Sequence, residues 1–527
     1  MNLLNPLSAV AGARPIRAAV NAGFHRAARR RLRELGGLDP VAVQERTLLG
    51  LVRKAEATRF GRDHGFASIR HVADFQAAVP LRTYEALWHD YLERAYPRFE
   101  DLTWPGLVPF LAMTSGTTTG ATKHIPVTRA MLASNQKAAQ TMVSFHLVAR
   151  PDSRLFLGKL FMLGGSTNLE HPAPDVGEGD LSAVTAHTIS PLLRPYSFPP
   201  LDLALEPNWD RKVDLLAERS LREPITLVSG VTSCLLTLVQ RLLERSGRST
   251  LGEVWPTLEV IVHGGVKFDP YRAAFEQIVG DRPIRLQESY PCSEGFIAFG
   301  DPGTGLLRLV FDHGLFFEFV PVDELGSDRP IRHWLGTAHV GINYAIAVST
   351  CAGIWGHVIG DTVRFESLSP PLLTFTGRTR YALSAFGEHL ISEEVEAAMA
   401  SASAVAGASV KDWHVGPVFA GSLGHHRYVV EFLRPPADLD AFRRALDADL
   451  VARNAHYAWF RAEGGGMPRP ALVVARPGGF DDWMRSRGKL GGQHKVPRMD
   501  NAGTLTDQLV SYLHAHGLVA AELGASR

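Results

Sequence analysis

Cysteine is scarce. The 527 residues hold three, Cys234, Cys292 and Cys351, an odd number set far apart. That favours a reducing compartment over a disulfide framework. No Cys-x-x-Cys or His-Glu-x-x-His spacing occurs, so the common zinc signatures are missing as well. Nor does one sign of charge dominate: 55 Lys and Arg against 54 Asp and Glu leave a formal +1, which supplies no global attraction for nucleic acid or an anionic membrane. No uninterrupted apolar run reaches the length of a membrane span. Arg14 and Arg17 follow the first apolar patch, the reverse of a secretory signal, so a cytoplasmic location is expected. With 45% hydrophobic and 21% charged residues the chain reads as an ordinary globular protein, too long for one core.

Hydroxyls, glycines and a lysine are concentrated in Thr114-Ser115-Gly116-Thr117-Thr118-Thr119-Gly120-Ala121-Thr122-Lys123. Glycines let backbone N–H groups face an anion, hydroxyls donate further hydrogen bonds and lysine adds a point charge. The stretch is not a mononucleotide P-loop, because Thr122 rather than glycine precedes the lysine. A polar surface turn has the same composition. The apolar run 107–113 leads in and Thr128 can cap the amphipathic segment that follows, so the loop is expected to join a strand to a helix.

Apolar residues recur at helical spacing through Val43, Leu48, Leu51 and Val52, and residues 24–35 read as an exposed basic helix. Residues 164–200 are rich in glycine and proline and predict a loop-rich insertion. From Pro224 short apolar strands alternate with helices, the pattern of a parallel sheet, whose ligands bind at the carboxyl ends of the strands. Two such ends carry His263-Gly264-Gly265 and Tyr290-Pro291-Cys292-Ser293-Glu294. Residues 306–365 become all β, with Asp312-His313-Gly314 as the turn of a hairpin, and predict a barrel-like subdomain beside the sheet. After Thr376-Gly377-Arg378 a mixed α/β composition resumes. The division is placed at 1–377 and 378–527.

The order of the Thr114–Lys123 loop, Tyr290–Glu294, Gly360-Asp361 and Gly377-Arg378 resembles that of the auxin-responsive GH3 family of acyl-acid amido synthetases, in its bacterial branch. More distantly it is similar to the acyl-CoA synthetase and luciferase superfamily. Phe75-Gln76-Ala77-Ala78-Val79-Pro80-Leu81, Leu446-Asp447, Asn454, Tyr457, Arg461 and Gln493-His494-Lys495-Val496-Pro497-Arg498 match the family's spacing. The resemblance implies a large adenylate-forming α/β domain followed by a smaller, mobile α/β domain. It implies an enzyme that uses ATP and Mg²⁺ to activate a small carboxylic acid as its acyl-adenylate and passes the acyl group to an amine, with an amino acid as the expected acceptor.

By the same resemblance, Thr114, Ser115, Gly116, Thr117, Thr118, Thr119 and Gly120 would hold phosphate with Lys123, and Gly264, Gly265 and Ser293 would line the nucleotide. Tyr290 would flank the adenine, Asp361 would take the ribose hydroxyls and Glu294 would hold the metal. Arg378 would meet the nucleotide at the hinge, and Lys495 would enter during adenylation. Each has a plain alternative: a core tyrosine, a solvated glutamate or lysine, a turn aspartate, a surface arginine. The chain also departs from the pattern. The family's Tyr-Ala-Ser-Ser-Glu reads Tyr290-Pro291-Cys292-Ser293-Glu294, and the Tyr-Arg before Gly-Asp reads His357-Val358, which removes a charge. Thioester formation with coenzyme A, or nucleotide binding without catalysis, remain open readings. The identity of the acid and the oligomeric state are not legible.

Overall fold

The computed structural model describes every residue except 1–12, 116–121, 165–168, 207, 266–267, 269–270, 328, 380–381, 384, 387, 389, 421–422, 462–466, 491–494 and 526–527. The chain divides into two compact units, one of residues 1–266 and 278–374, the other of 267–277 and 375–527. Residues 267–277, at the middle of the chain, group with the second unit.

The first unit is built on an eleven-stranded sheet. Its parallel half contains Ser197–Phe198, Lys159–Met162, Ile225–Val231, Val260–Gly264 and Arg285–Cys292 in spatial order. It continues through Gly295–Gly300, Leu307–Leu309, Pro371–Arg378, His357–Leu368, Asn343–Thr350 and Leu315–Pro321. The β-rich stretch is therefore a hydrogen-bonded continuation of the parallel half, where the sequence suggested a subdomain beside it. Helices Arg14–Gly36 and Arg129–Ala149 cover one face, with Ala28, Ala138 and Met142 against Leu227, Val260 and Phe299. The second of these helices is capped as expected, Thr128 accepting from Met131 N at 3.1 Å.

Four local expectations change. The hydroxyl-rich loop joins strand to strand: Phe110–Ser115 pairs antiparallel with Thr122–Val127, and the capped helix follows only then. The 164–200 stretch contains strands Glu170–Ala173 and Val176–Gly179 and helix Leu181–Thr188, the strands completing a four-stranded sheet with that hairpin. Its second strand is wholly buried, so neighbouring backbone supplies order that the short segment's own periodicity does not. The Asp312-His313-Gly314 turn does not close a hairpin, because Leu307–Leu309 pairs within the sheet while Leu315–Pro321 pairs at its far edge. Distant partners hold that turn. Asp312 takes both Nη atoms of Arg31 at 2.7 Å, and His313 Nε2 donates to Phe296 O at 2.7 Å. Arg31 is thereby drawn inward, while Arg26, Arg29, Arg30 and Arg33 on the same helix stay exposed as the basic pattern implied.

The second unit carries a four-stranded sheet ordered Ser409–Ala420, Leu423–Arg434, Ala471–Ala475, Val519–Leu523. Strand alternation splits its core: Tyr428, Val430 and Phe432 face helices Ser392–Val405 and Leu439–Arg453, while Val429 and Val473 face Gly479–Ser486 and Thr504–Ala515. Ile391 is the N-cap of the first of these helices, and Glu394 reaches back to accept from Ile391 N at 3.0 Å. The spaced residues 447–461 form a buried network. Asp447 accepts from Tyr457 Oη and from Arg461 Nε and Nη2, each at 2.8 Å, and Asn454 Nδ2 donates to Glu394 at 2.9 Å.

Removing the anion would leave a buried guanidinium without its partner. Asp447→Ala is therefore expected to cost about 3–5 kcal/mol of stability. Urea denaturation measures this, and a loss below about 1 kcal/mol would show the network to be replaceable.

Candidate active site

In the first unit the motifs converge on the carboxyl end of Arg285–Cys292. Tyr290, Pro291 and Cys292 lie within this strand, and Ser293 and Glu294 form the tight turn into Gly295–Gly300, so the cluster is a hairpin end rather than a loop after a strand. The neighbouring strand ends at Gly264, opposite Ser289, with Gly265 next. A Cβ at Gly264 would lie 2.2 Å from Ser289 O, so a side chain there would force the two strands apart.

Asp361 comes from the other half of the sheet. Its strand skips register between the Ala345 and Ala347 pairings, and Gly360 within that bulge has φ +88°. The bulge re-aims the acid. Tyr290 Oη donates to Asp361 Oδ2 at 2.7 Å, joining two motifs distant in sequence, and Asp361 is only 6% exposed.

Glu294 is held by a different set. Its side chain is 12% exposed, and His357 Nε2 lies 3.5 Å from Oε1. Burial pushes the Glu294 carboxyl up, but the His357 hydrogen bond and the charges of His357 and Lys123 outweigh it and hold the group below the usual carboxylate range. Cys292 shares this neighbourhood. Burial and the charges of Glu294 and Asp361 push its thiol well up, which disfavours the thiolate that a nucleophile needs.

Lys123 stands opposite Thr114 in the strand pair that flanks the hydroxyl-rich loop. Its Nζ lies 3.7 Å from Glu85 Oε1 and 5.0 Å from the Tyr84 ring centroid. Tyr84 Oη accepts from His124 N at 2.7 Å, and His124 Nδ1 bonds the buried Glu178, which also accepts from Tyr96 Oη at 2.9 Å. These contacts fix the hairpin on which Lys123 sits. Gly116, Thr117, Thr118, Thr119 and Gly120 lie outside the described residues, and Ser115 is placed only by its backbone at the strand end.

The first unit thus brings Thr114, Lys123, Gly264, Gly265, Tyr290, Ser293, Glu294 and Asp361 into one body. The boundary between the units falls within strand Pro371–Arg378, after Thr374, so Arg378 at its end is counted, like Lys495, with the second unit. Sequence reasoning missed Tyr84, Glu85 and the His124–Glu178 pair, which no motif marks. His357 had stood only for a lost charge, yet it lies against Glu294. Among the described residues no group of three His, Cys, Asp or Glu side chains is placed to hold a metal, and no helix is long and apolar enough to cross a membrane.

A carboxyl group whose folded value lies below its unfolded value, about 4.3 for glutamate, stabilises the fold above that value and loses this as pH falls through the folded one. The stability difference between the native chain and Glu294→Gln should therefore be largest near neutral pH and fade on acidification. Thermal unfolding between pH 3 and 7 tests this; a difference that grows toward acid would reverse the assignment.

Three family models match the chain: the GH3 family N-terminal domain at 35–172 and 179–284, its central domain at 308–378 and its C-terminal domain at 393–503. An indole-3-acetic acid-amido synthetase, GH3.8 of Oryza sativa subsp. indica, is 27% identical over 328 residues, 56% of this chain and 54% of that protein. A probable indole-3-acetic acid-amido synthetase, GH3.9 of Oryza sativa subsp. japonica, is 24% identical over 284 residues, 49% of this chain and 63% of that one. The chain spans about half the length of the curated relatives it matches. Among solved structures, the GH3.15 acyl acid amido synthetase superposes with a TM-score of 0.78 at 19% identity, covering 94% of this chain and 96% of that one. A 2-hydroxyisobutyryl-CoA ligase in the postadenylation state gives 0.57 at 13% identity, covering 88% and 91%. The shared fold is the adenylate-forming one.

Proposed function

Because the chain belongs to the GH3 family, we propose that it is an ATP-dependent, AMP-forming ligase that joins a small carboxylic acid to an amine, an amino acid being the favoured acceptor. The observation that carries the reading is the Tyr290–Asp361 hydrogen bond, which sets an aromatic ring and an acid side by side at the carboxyl ends of the sheet. A ring there can stack on a base, and an acid can accept from both ribose hydroxyls.

In the first half-reaction a carboxylate oxygen of the acid attacks the α-phosphorus of ATP. The new C–O–P link forms as the bond to the β-phosphate breaks, and pyrophosphate leaves. In the second, the amine nitrogen attacks the acyl carbon, the C–O bond to AMP breaks and the amine sheds a proton to solvent. Lys123 supplies positive charge at the phosphates, and Thr114 begins the loop of donors around them. Lys495 would add charge during the first step, and Arg378 would meet the nucleotide at the hinge between domains.

Glu294 fits Mg²⁺, a hard cation that takes one or two carboxylates and completes its shell with phosphate and water oxygens. Such an ion would offset the repulsion between Glu294 and a triphosphate. Burial of Glu294 beside His357 supports this use, since a carboxylate held anionic out of water is a ready ligand. A cytoplasmic setting agrees with the use of ATP and with the free thiols.

The test is carboxylate-dependent exchange of labelled pyrophosphate into ATP with Mg²⁺, across indole-3-acetate, benzoate, 4-phenylbutyrate and hexanoate. Exchange with at least one acid is expected, and product mass with amino acids or coenzyme A separates amide from thioester. Lys123→Ala should slow exchange by about 10²-fold, the scale of one lost charge-stabilising group, while acid affinity changes little. Folded protein with no exchange, or an unchanged rate in Lys123→Ala, would overturn the assignment.

A further inference from the structure

Lys495 is followed closely by a residue held from several sides. Pro497 O accepts from His414 Nδ1 at 2.6 Å, Val415 N donates to Arg498 O at 2.8 Å, and Asp500 N donates to Val415 O at 2.9 Å. Residues 497–500 thus run alongside Ser409–Ala420, with a bridge between Val415 and Met499. The Arg498 side chain is 13% exposed and turns inward. Its guanidinium pairs with Asp412, donates through Nη1 to Trp413 O at 3.1 Å and through Nη2 to Tyr271 Oη at 3.1 Å, and lies 5.0 Å from the Trp413 ring centroid.

A cation with this little exposure costs folding energy unless its donors are all met, and an apolar side chain of similar volume often serves stability as well or better. Five donors in a rigid fork do something an apolar residue does not: they fix the direction of the backbone they grow from. Pro497 has its φ set by its ring, so only Val496 separates the anchored backbone from Lys495. Tyr271, 1% exposed and far off in sequence, braces the outer edge of the fork.

We propose that Arg498, braced by Asp412 and Tyr271, is the positioning residue for Lys495 in adenylate formation. This rests on the reading of Lys495 given above. Arg498 does not touch the reacting atoms; it sets where the lysine's short backbone tether begins. Lysine at 498 would keep the charge and lose the fork, and phenylalanine at 271 would remove one acceptor while keeping the ring.

The experiment uses the full chain with Arg498→Lys, Tyr271→Phe and Lys495→Ala. It reads pyrophosphate exchange with the best-activated acid of the panel above, the aminolysis of that acid's synthetic acyl-adenylate, and amide hydrogen exchange over 413–415 and 495–500. Arg498→Lys should lower the kcat of pyrophosphate exchange by about tenfold or more, as small misplacements of a catalytic group do, with KM for ATP and the aminolysis rate changed by less than about twofold. Tyr271→Phe should fall between it and the native chain, and both should quicken hydrogen exchange in the two segments. Equal losses in both half-reactions would reduce Arg498 to a general structural role and overturn the proposal. So would an unchanged pyrophosphate exchange in Arg498→Lys while Lys495→Ala is slow. Full pyrophosphate exchange in Lys495→Ala would instead overturn the reading of Lys495, and the proposal with it.

Discussion

Two carboxylates kept out of water, Glu294 and Asp361, set the terms for the centre of the first unit. A carboxylate that loses its hydration costs several kcal/mol unless donors or cations replace it. Asp361 receives the Tyr290 hydroxyl, and Glu294 has His357 beside it with the charge of Lys123 in reach. These partners arrive on separate segments: a hairpin end, a bulged strand and the pair of strands flanking the hydroxyl-rich loop. A one-residue slip in any of these pairings would turn the partner to the opposite face and strand a charge. The acids therefore help to specify register.

What could be read in the sequence follows from how local each signal is. Helices 40–55 and 129–149 announce themselves by apolar spacing, and the second also by Thr128 at its start, because a helix closes its hydrogen bonds within its own segment. The short strands Glu170–Ala173 and Val176–Gly179 do not, since a strand's partners are elsewhere in the chain and proline and glycine mask its alternation. The Asp312-His313-Gly314 turn misled for the same reason: its side chains are spent on Arg31, Lys137 and the Phe296 carbonyl rather than on closing a hairpin. At the site, Tyr290, Glu294 and Asp361 were legible as motif positions. Their mutual contacts, and the whole of the Tyr84–His124–Glu178 support, were not, because no spacing within the chain encodes a diagonal across a sheet.

The replacement of Tyr-Arg by His357-Val358 looks in the sequence like a charge simply lost, and the surroundings qualify that. Arg82 lies against this strand, its N donating to Gly356 O and its O accepting from Val358 N, each at 2.9 Å. Its guanidinium is engaged by Asp90 and His64, so it does not stand in for the missing arginine. Glu294 instead has His357 Nε2 at 3.5 Å and the charge of Lys123 in reach, and Lys123 is shared with Glu85 at 3.7 Å. One lysine thus balances two acids, and under the proposed function it would also face a phosphate. Those demands would compete, and Glu294, were it to hold a divalent cation, would leave Lys123 to the phosphates. Under the proposed function, phosphate binding and Glu294 would then be coupled through the single ammonium group of Lys123, and the chain's departure from the family pattern at 357–358 would tighten that coupling rather than abolish it.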